Sequence, residues 1–584
     1  MRAPLFTLFG ARSGAALTLA GLSVYGVLQV LAYRGVGAAG FVASRAWIVL
    51  GAVALFFSAR AIARAFRADF AARNFAAALA FGLLFTFTFA RIGSYGWSPN
   101  GEGFAEISGV FEAGRDQRPD LGWAGFSHFD QPHRMFFLNA LPTLVWGRHV
   151  ESARLGFLLP AIFGLCLLYA ALRAWDEDVP GFRYVALLAV VAIPTFPILT
   201  LYLRQGEQAI NPVSLSILVS AWFLICLKDP RPAHLTALAF FAALTSTCYA
   251  PGLLVWVLFL VMGFGILGRA VVRGDSAAAA SWALTLVLPI LDGVICLMFR
   301  KDLGGLAGGN SALFSQGPTL LANARKTAET VLFQKNVYMD LAFLSLPLLG
   351  PILIYLVASL LLRNGVGHLV VAGWVVGCVA IGTSFTGYNR FAPEASLHRV
   401  MAVLPVLVAG LALATLSLLS ASAVRPRAAW FPVPFLVLVA YGAVAHRQSH
   451  ESWHDGYAVP STNMVARVVE TVRGSRIDPR GAFVIAAFGG QSDPVKFYWG
   501  DAFSYLFPKH QGTSDPAVCF KNVDTTLPAI VLVRKDGSFC EDQLRAYAGR
   551  QISRTEFDHR LGPEETVPMV EYVFRGAGGP GSPP

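Results

Sequence analysis

The chain has 584 residues, 55% hydrophobic and 14% charged, with a formal net charge of +11. Its mean hydropathy of +0.56 excludes a soluble single-core protein, because one core cannot absorb that much apolar surface. The positive charge does not indicate nucleic acid as a partner: the arginines are spread over many loops and form no dense basic stripe with interleaved aromatics.

Repeated apolar runs of about 18 to 25 residues match the ~20 that a helix needs to cross the hydrocarbon. They do not alternate as barrel strands would. The expectation is a polytopic α-helical membrane protein with about thirteen transmembrane helices. These lie near residues 14–34, 45–66, 74–92, 152–173, 182–202, 212–228, 234–249, 252–269, 279–299, 339–362, 367–386, 398–421 and 427–446. The first follows Arg2 and Arg12 but runs to Tyr33, long for a signal peptide, so an uncleaved anchor is expected. The break at Cys248-Tyr-Ala-Pro-Gly252 reads either as a tight turn between two spans or as one kinked or re-entrant helix.

With the N-terminus in the cytoplasm, the short inner connections carry Arg60, Arg64, Arg67, Arg73, Arg173, Arg183, Lys228, Arg231, Arg269, Arg273, Arg363, Arg425 and Arg427. That is the positive-inside pattern. It predicts a multi-pass protein of the cytoplasmic (inner) membrane, with the loop 93–151 and the C-terminus on the extracytoplasmic face. Five of the seven cysteines, Cys166, Cys226, Cys248, Cys296 and Cys378, fall in or beside apolar spans, where they serve as small hydrophobes. Cys519 and Cys540 fall in the C-terminal segment and predict a disulfide in an oxidising compartment, two unrelated free thiols being the alternative.

Residues 447–575 read as a small extracytoplasmic α/β or α+β domain, and the Gly/Pro/Ser-rich 576–584 as a disordered tail. A helix is expected over Met464–Arg473. Strands are expected over Ala482–Phe488, Val495–Trp499, Ala529–Val533 and Val567–Phe574. No catalytic motif appears there, so its expected role is that of an accessory or acceptor-recognition module. No Walker A run and no GxGxxG between strand and helix is found, so neither ATP nor a dinucleotide is implied.

The chemistry-bearing residues concentrate in the polar loop between the third and fourth spans. Asn100, Glu102 and Glu106 stand at the mouth of the third span, and the two glutamates, four apart, share a helix face. Arg115, Asp116, His128, Asp130, His133 and Arg134 follow. Then Met135–Trp146 predicts an apolar helix lying on the membrane surface. Carboxylates in such a place act as general bases on a hydroxyl, and arginines hold phosphate by charge-assisted hydrogen bonds. Further on, Asp292 is an acid within the apolar run 284–299, where a water-exposed role and an Arg-paired role are equally open. Another surface helix is expected around Leu320–Phe333.

The order of these elements resembles the GT-C class of membrane glycosyltransferases that use polyprenyl-phosphate sugars, the superfamily of the aminoarabinose transferases of lipid A and the protein O-mannosyltransferases. Pro99-Asn100-Gly101-Glu102-Gly103 stands where that family has a Pro-Asp-Glu-type motif. Ala113-Gly114-Arg115-Asp116 is similar to its Thr-Gly-Arg-Asp stretch, and Phe129-Asp130-Gln131-Pro132 to its Tyr-Lys-Pro-Pro step. Leu138-Asn139-Ala140-Leu141 resembles its surface helix and Arg154-Leu155 its span opening. Arg204, Glu207 and Asn211 resemble an Arg-Gly-x-x-Glu-x-Asn pattern, and His398-Arg399 with Pro405 the late Arg…Pro element. The resemblance covers about residues 74–421 and assigns 74–446 to a transmembrane catalytic core. The extra spans of residues 1–73 lie outside it.

What the resemblance implies is transfer of a sugar from a polyprenyl-phosphate donor to an acceptor, a lipid, glycan or protein. Glu102 would be the catalytic base; Asn100, Glu106, Asp116, Arg204, Glu207, His398 and Arg399 would bind substrate. One departure stands out: the family's aspartate aligns with Asn100 or Gly101, and an amide can neither accept the proton nor ligate a metal as an anion. Either Glu102 supplies the carboxylate or the site is degenerate. A divalent metal occurs in this class, but no convincing ligand set is present here. The other readings are a catalytically degenerate lipid-binding relative and a lipid or solute transporter. Matched halves with broken spans would mark a transporter, and none is seen.

Overall fold

Inside hydrocarbon every backbone N–H and C=O must be paired within its own segment, which makes an uninterrupted apolar run a helix. The computed structural model describes residues 11–89, 107, 110, 134–179, 181–195, 206, 210–248, 252–299, 402, 405–406, 408–410, 412, 416, 464–475, 483–487, 506, 510–513, 527–535, 550–560 and 566–576. The first nine predicted spans each coincide with one helix. They are α1 (Ala11–Tyr33), α2 (Gly37–Ala71), α3 (Ala76–Phe89), α5 (Val150–Arg173), α6 (Phe182–Thr195), α7 (Ile210–Lys228), α8 (Pro232–Ser246), α9 (Gly252–Val272) and α10 (Ser276–Phe299). The tenth helix, α4 (Arg134–Trp146), covers the stretch Met135–Trp146 expected to be helical. Among the described residues α2, α5, α7, α9 and α10 are long and apolar enough to cross a membrane; α1, α3, α6 and α8 are shorter apolar helices. The four later predicted spans and the expected helix at 320–333 lie outside the described residues, apart from isolated positions between 402 and 416.

Burial sorts these helices into inner and outer ones. α7 is buried along nearly all of its apolar length and α5 along most of it, whereas α2 and α9 expose most of theirs. With no water to expel from between helices in lipid, association depends on close packing, and small residues permit it. Gly164 of α5 meets Ile217 and Leu218 of α7, Gly51 of α2 meets Phe240 of α8, and Gly293 of α10 meets the Trp256 ring of α9. Trp222 in the middle of α7 donates its indole N–H to Ser58 Oγ of α2 at 3.0 Å, which satisfies a buried donor and ties the N-terminal hairpin to the core.

The Cys248–Gly252 break separates two helices, α8 and α9, rather than kinking one. A Cβ at Gly252 would lie 2.4 Å from the Thr245 carbonyl oxygen and 2.2 Å from Cys248 Sγ, so the return is close enough to demand glycine. Cys166, Cys226, Cys248 and Cys296 are buried thiols, as small hydrophobes should be, with Cys248 Sγ donating to the Thr245 carbonyl at 3.2 Å and Cys296 Sγ to the Ser246 carbonyl at 3.1 Å.

The described charged pairs gather at two ends of the bundle. At one end, Asp69 near the end of α2 accepts from Tyr169 Oη at 2.7 Å and from Arg173 Nε at 2.6 Å, both on α5. Lys228, the last residue of α7, reaches the Ala174 carbonyl, Glu177 and Asp178 just beyond α5. Arg183 faces Asp176 there. At the other end, the last turns of α1 and α10 meet the start of α4.

In the C-terminal segment, α11 (Met464–Gly474) accompanies a five-stranded mixed sheet in the order β2-β1-β3-β5-β4. The strands are β1 (Phe483–Ala487), β2 (His510–Thr513), β3 (Ala529–Arg534), β4 (Gln551–Arg560) and β5 (Thr566–Phe574). β1 is parallel to β2 and β3; β5 is antiparallel to β3 and β4. The central β3 is buried along all but its last residue, as its continuous apolar run Ala529–Val533 requires. Glu571 of β5, 1% exposed, faces the register partner Leu532 and is bonded by Arg467 Nε at 2.9 Å and Thr471 Oγ1 at 2.8 Å from α11. Two strands, β2 and β4, were not expected from the sequence, and the expected strand at Val495–Trp499 lies outside the described residues.

Candidate functional site

α4 follows the polar loop in sequence, and its two faces differ. Arg134, Met135, Phe136, Asn139, Ala140, Pro142 and Thr143 are buried, while Leu141, Leu144, Val145 and Trp146 are 42–73% exposed. With Asn139 on one side and Leu141, Leu144 and Val145 on the other, the helix is amphipathic, the make-up of helices that lie along a lipid surface. It ends at Gly147, which has φ +86, and Ser152 Oγ then accepts from His149 N at 3.1 Å and donates to the Gly147 carbonyl at 2.6 Å, starting α5.

Asn139 fixes this helix from within. Its amide Nδ2 donates to the Gly156 carbonyl of α5 at 2.8 Å, and its Oδ1 accepts from Asn211 Nδ2 of α7 at 2.9 Å. Both asparagines are fully buried. The approach is closest at Gly156, where a Cβ would sit 1.8 Å from the Asn139 carbonyl oxygen. Two residues before it, Arg154 is 2% exposed, and its Cγ lies 3.0 Å from where a Cβ of Gly206 (φ +73) would be. The surface-helix stretch Leu138–Leu141, the span opening Arg154-Leu155 and Asn211 thus come together at one end of the bundle, although 72 residues separate Asn139 from Asn211.

Five residues before Asn139, about 7 Å along the helix axis, a buried ionic cluster begins. Arg134 Nη1 lies 3.0 Å from Asp292 Oδ2 of α10, with side chains 1% and 2% exposed. The other carboxylate oxygen accepts from Gln29 Nε2 of α1. Arg134 Nη2 donates to Tyr33 Oη at 3.3 Å and its guanidinium stands over the Tyr33 ring at 5.8 Å. Tyr33 in turn stacks on Phe299 at 5.2 Å. Asp292 is therefore Arg-paired and shielded from water, which resolves the two roles the sequence left open. Desolvating two charges is costly, and the cluster offsets that cost by filling both carboxylate oxygens.

The predicted site residues Asn100, Glu102, Glu106, Asp116, Arg204, Glu207, His398 and Arg399 all lie outside the described residues, as do Cys519 and Cys540. Among the described residues no group of three His, Cys, Asp or Glu side chains could hold a metal ion. Sequence reasoning missed Gln29 and the Asn139–Asn211 pairing. An amide inside the apolar run Leu22–Tyr33 is the signal that would have pointed to Gln29.

Helix lengths, apolarity and the segregation of charge to the bundle ends define a multi-pass helical membrane protein. No family model matches the chain, and no curated protein is similar to it. Among solved structures it is similar to ArnT from Cupriavidus metallidurans in the apo state, with a TM-score of 0.45 and 14% identity over 86% of this chain and 98% of that one. ArnT bound to undecaprenyl phosphate gives 0.41 and 13%, over 84% and 97%. The arabinosyltransferase EmbB from Mycobacterium smegmatis gives 0.35 and 13%, over 79% of this chain and 44% of that one.

Proposed function

We propose that this chain is an integral membrane glycosyltransferase that moves a sugar from a polyprenyl-phosphate donor to an extracytoplasmic acceptor. The observation that carries this reading is the seating of α4. Asn139 pins it to Gly156 and Asn211, while Leu141, Leu144 and Val145 stay exposed on its other side. A lipid-phosphate substrate needs such a place, where its chain runs along an apolar surface and its head group meets a polar mouth.

In this reading the sugar's anomeric carbon faces the acceptor at that mouth. Glu102 takes the acceptor hydroxyl proton as the new C–O bond forms and the bond to the phosphate oxygen breaks. Arg399, with Arg204, stabilises the charge growing on the departing polyprenyl phosphate, and His398 orients it. Asn100, Glu106, Asp116 and Glu207 contact the sugar or the acceptor. The N-terminus lies in the cytoplasm, which puts the basic bundle end inside and α4 outside. Residues 447–575 form the extracytoplasmic acceptor-recognition domain, with Cys519 joined to Cys540.

One sequence feature favours a second reading: Asn100 stands where the resembled motif has its aspartate, as in a relative that binds lipid phosphate without transferring sugar. Purified protein in nanodiscs, given radiolabelled polyprenyl-phosphate sugars and an envelope-lipid acceptor extract, separates the two. Transfer that disappears in Arg399→Ala supports the enzyme; lipid-phosphate binding without transfer from any donor supports the second reading.

A further inference from the structure

The hairpin α1–α2 lies outside the stretch whose motif order resembles the glycosyltransferases, yet it is bonded to the rest of the bundle at three depths. Asp69 holds Tyr169 and Arg173 at one end, Ser58 holds Trp222 in the middle, and Gln29 holds Asp292 at the other end. The third bond is of a different kind from the others. Asp292 divides its carboxylate between Gln29 on Oδ1 and Arg134 on Oδ2, so Gln29 fixes the rotation that presents Oδ2 to the arginine.

Arg134 is the first residue of α4. Its guanidinium also spans to Tyr33, the last residue of α1. α4 is therefore held at two places, at its first residue by the N-terminal hairpin and α10, and five residues later by Asn139. We propose that Gln29 and Asp292 are positioning residues for the transfer reaction. They clamp Arg134 and so keep the exposed apolar edge of α4 at the mouth of the bundle. The consequence for transfer rests on the glycosyltransferase reading; the clamp itself does not.

The clamp has the chemistry of a device that is either closed or open. In a low dielectric, an ion pair with one partner removed leaves a buried charge uncompensated, whereas removing both charges leaves only a neutral contact. Its effect is local because, among the described residues, Asp292 is hydrogen-bonded from α1 and α4 and not from α5 or α7, the buried centre.

The test uses the full-length protein in nanodiscs, with amide hydrogen exchange read over residues 134–146 and 210–228, alongside donor kinetics. Asp292→Asn and Arg134→Gln are each expected to raise exchange in α4 about tenfold or more, with α7 unchanged. The double variant Asp292→Asn/Arg134→Gln is expected to return α4 to within about threefold of wild type. Gln29→Leu, which leaves both charges in place, is expected to raise α4 exchange about threefold. In transfer, the single charge variants raise the KM for the lipid donor about tenfold and leave kcat within about threefold. Loss of folded protein alone would lower apparent kcat and leave KM where it was. Exchange in α4 that is unchanged in both single variants, or that rises equally in α4 and α7, overturns the clamp. An unmoved KM overturns its role in transfer. If the wild type transfers no sugar, the glycosyltransferase reading fails, and the exchange measurements still decide the clamp.

Discussion

Asn211 Nδ2 donates to Asn139 Oδ1 at 2.9 Å, with both side chains fully buried, so a surface helix and a central span share one hydrogen bond in the bundle interior. Replacing Asn139 with Leu removes this bond and the one to the Gly156 carbonyl, and leaves the Asn211 amide donor without its acceptor. The expected loss is about 1–3 kcal/mol, read as a lowered unfolding midpoint in mild detergent. A midpoint equal to wild type would show that the pair contributes nothing net.

Gly156→Ala tests the same junction sterically. The added methyl would stand 1.8 Å from the Asn139 carbonyl oxygen, which is backbone and cannot step aside. α4 and α5 must separate, at a cost of about 1–3 kcal/mol or more. Gly82→Ala in α3, with nothing within 4 Å of its added methyl, is the matched control and should be neutral or slightly stabilising.

At the opposite end, Asp69 is 2% exposed and holds Tyr169 and Arg173. Asp69→Asn strands Arg173 among buried neighbours, with an expected cost of about 3 kcal/mol. Glu177→Gln, whose partner Lys228 meets a side chain 78% exposed, is expected to cost under about 1 kcal/mol. Equal effects of the two, measured by thermal unfolding in micelles, would contradict this ordering.

On the sheet, Lys535 and Arg554 hydrogen-bond the Glu556 carboxylate and hold its pKa below the ordinary carboxylate value. A lowered folded pKa means the contribution is present above the unfolded value and is lost as pH falls through the folded one. Exchange protection of β4 should therefore weaken in acid, below about pH 4. Glu556→Gln should flatten that acid limb, and an identical acid limb in the variant would remove Glu556 from the account.

The nine helices were legible because each contains a long, mainly apolar run, and α4 because Met135–Trp146 interrupts a polar loop. Asp292 was conspicuous as an acid in an apolar run, but its partner was not, since Arg134 lies 158 residues away and only packing brings them together. β4 was missed for a different reason. In Gln551–Arg560 only Ile552 and Phe557 are apolar, because it is an edge strand whose charges face solvent. The short β2, His-Gln-Gly-Thr, has no apolar residue and is placed by pairing with β1. Of the resembled motifs, Asn139, Arg154 and Asn211 could be followed into the fold; the carboxylates and arginines assigned to catalysis belong to residues outside the described ones.

The most direct test of the central claim is single-turnover transfer of labelled sugar from a polyprenyl-phosphate donor, comparing wild type with Glu102→Gln in nanodiscs. The account predicts transfer by the wild type and a fall of about 100-fold or more in the variant, with donor binding retained. Transfer at the wild-type rate in Glu102→Gln would contradict Glu102 as the base, and no transfer by the wild type from any such donor would contradict the glycosyltransferase assignment.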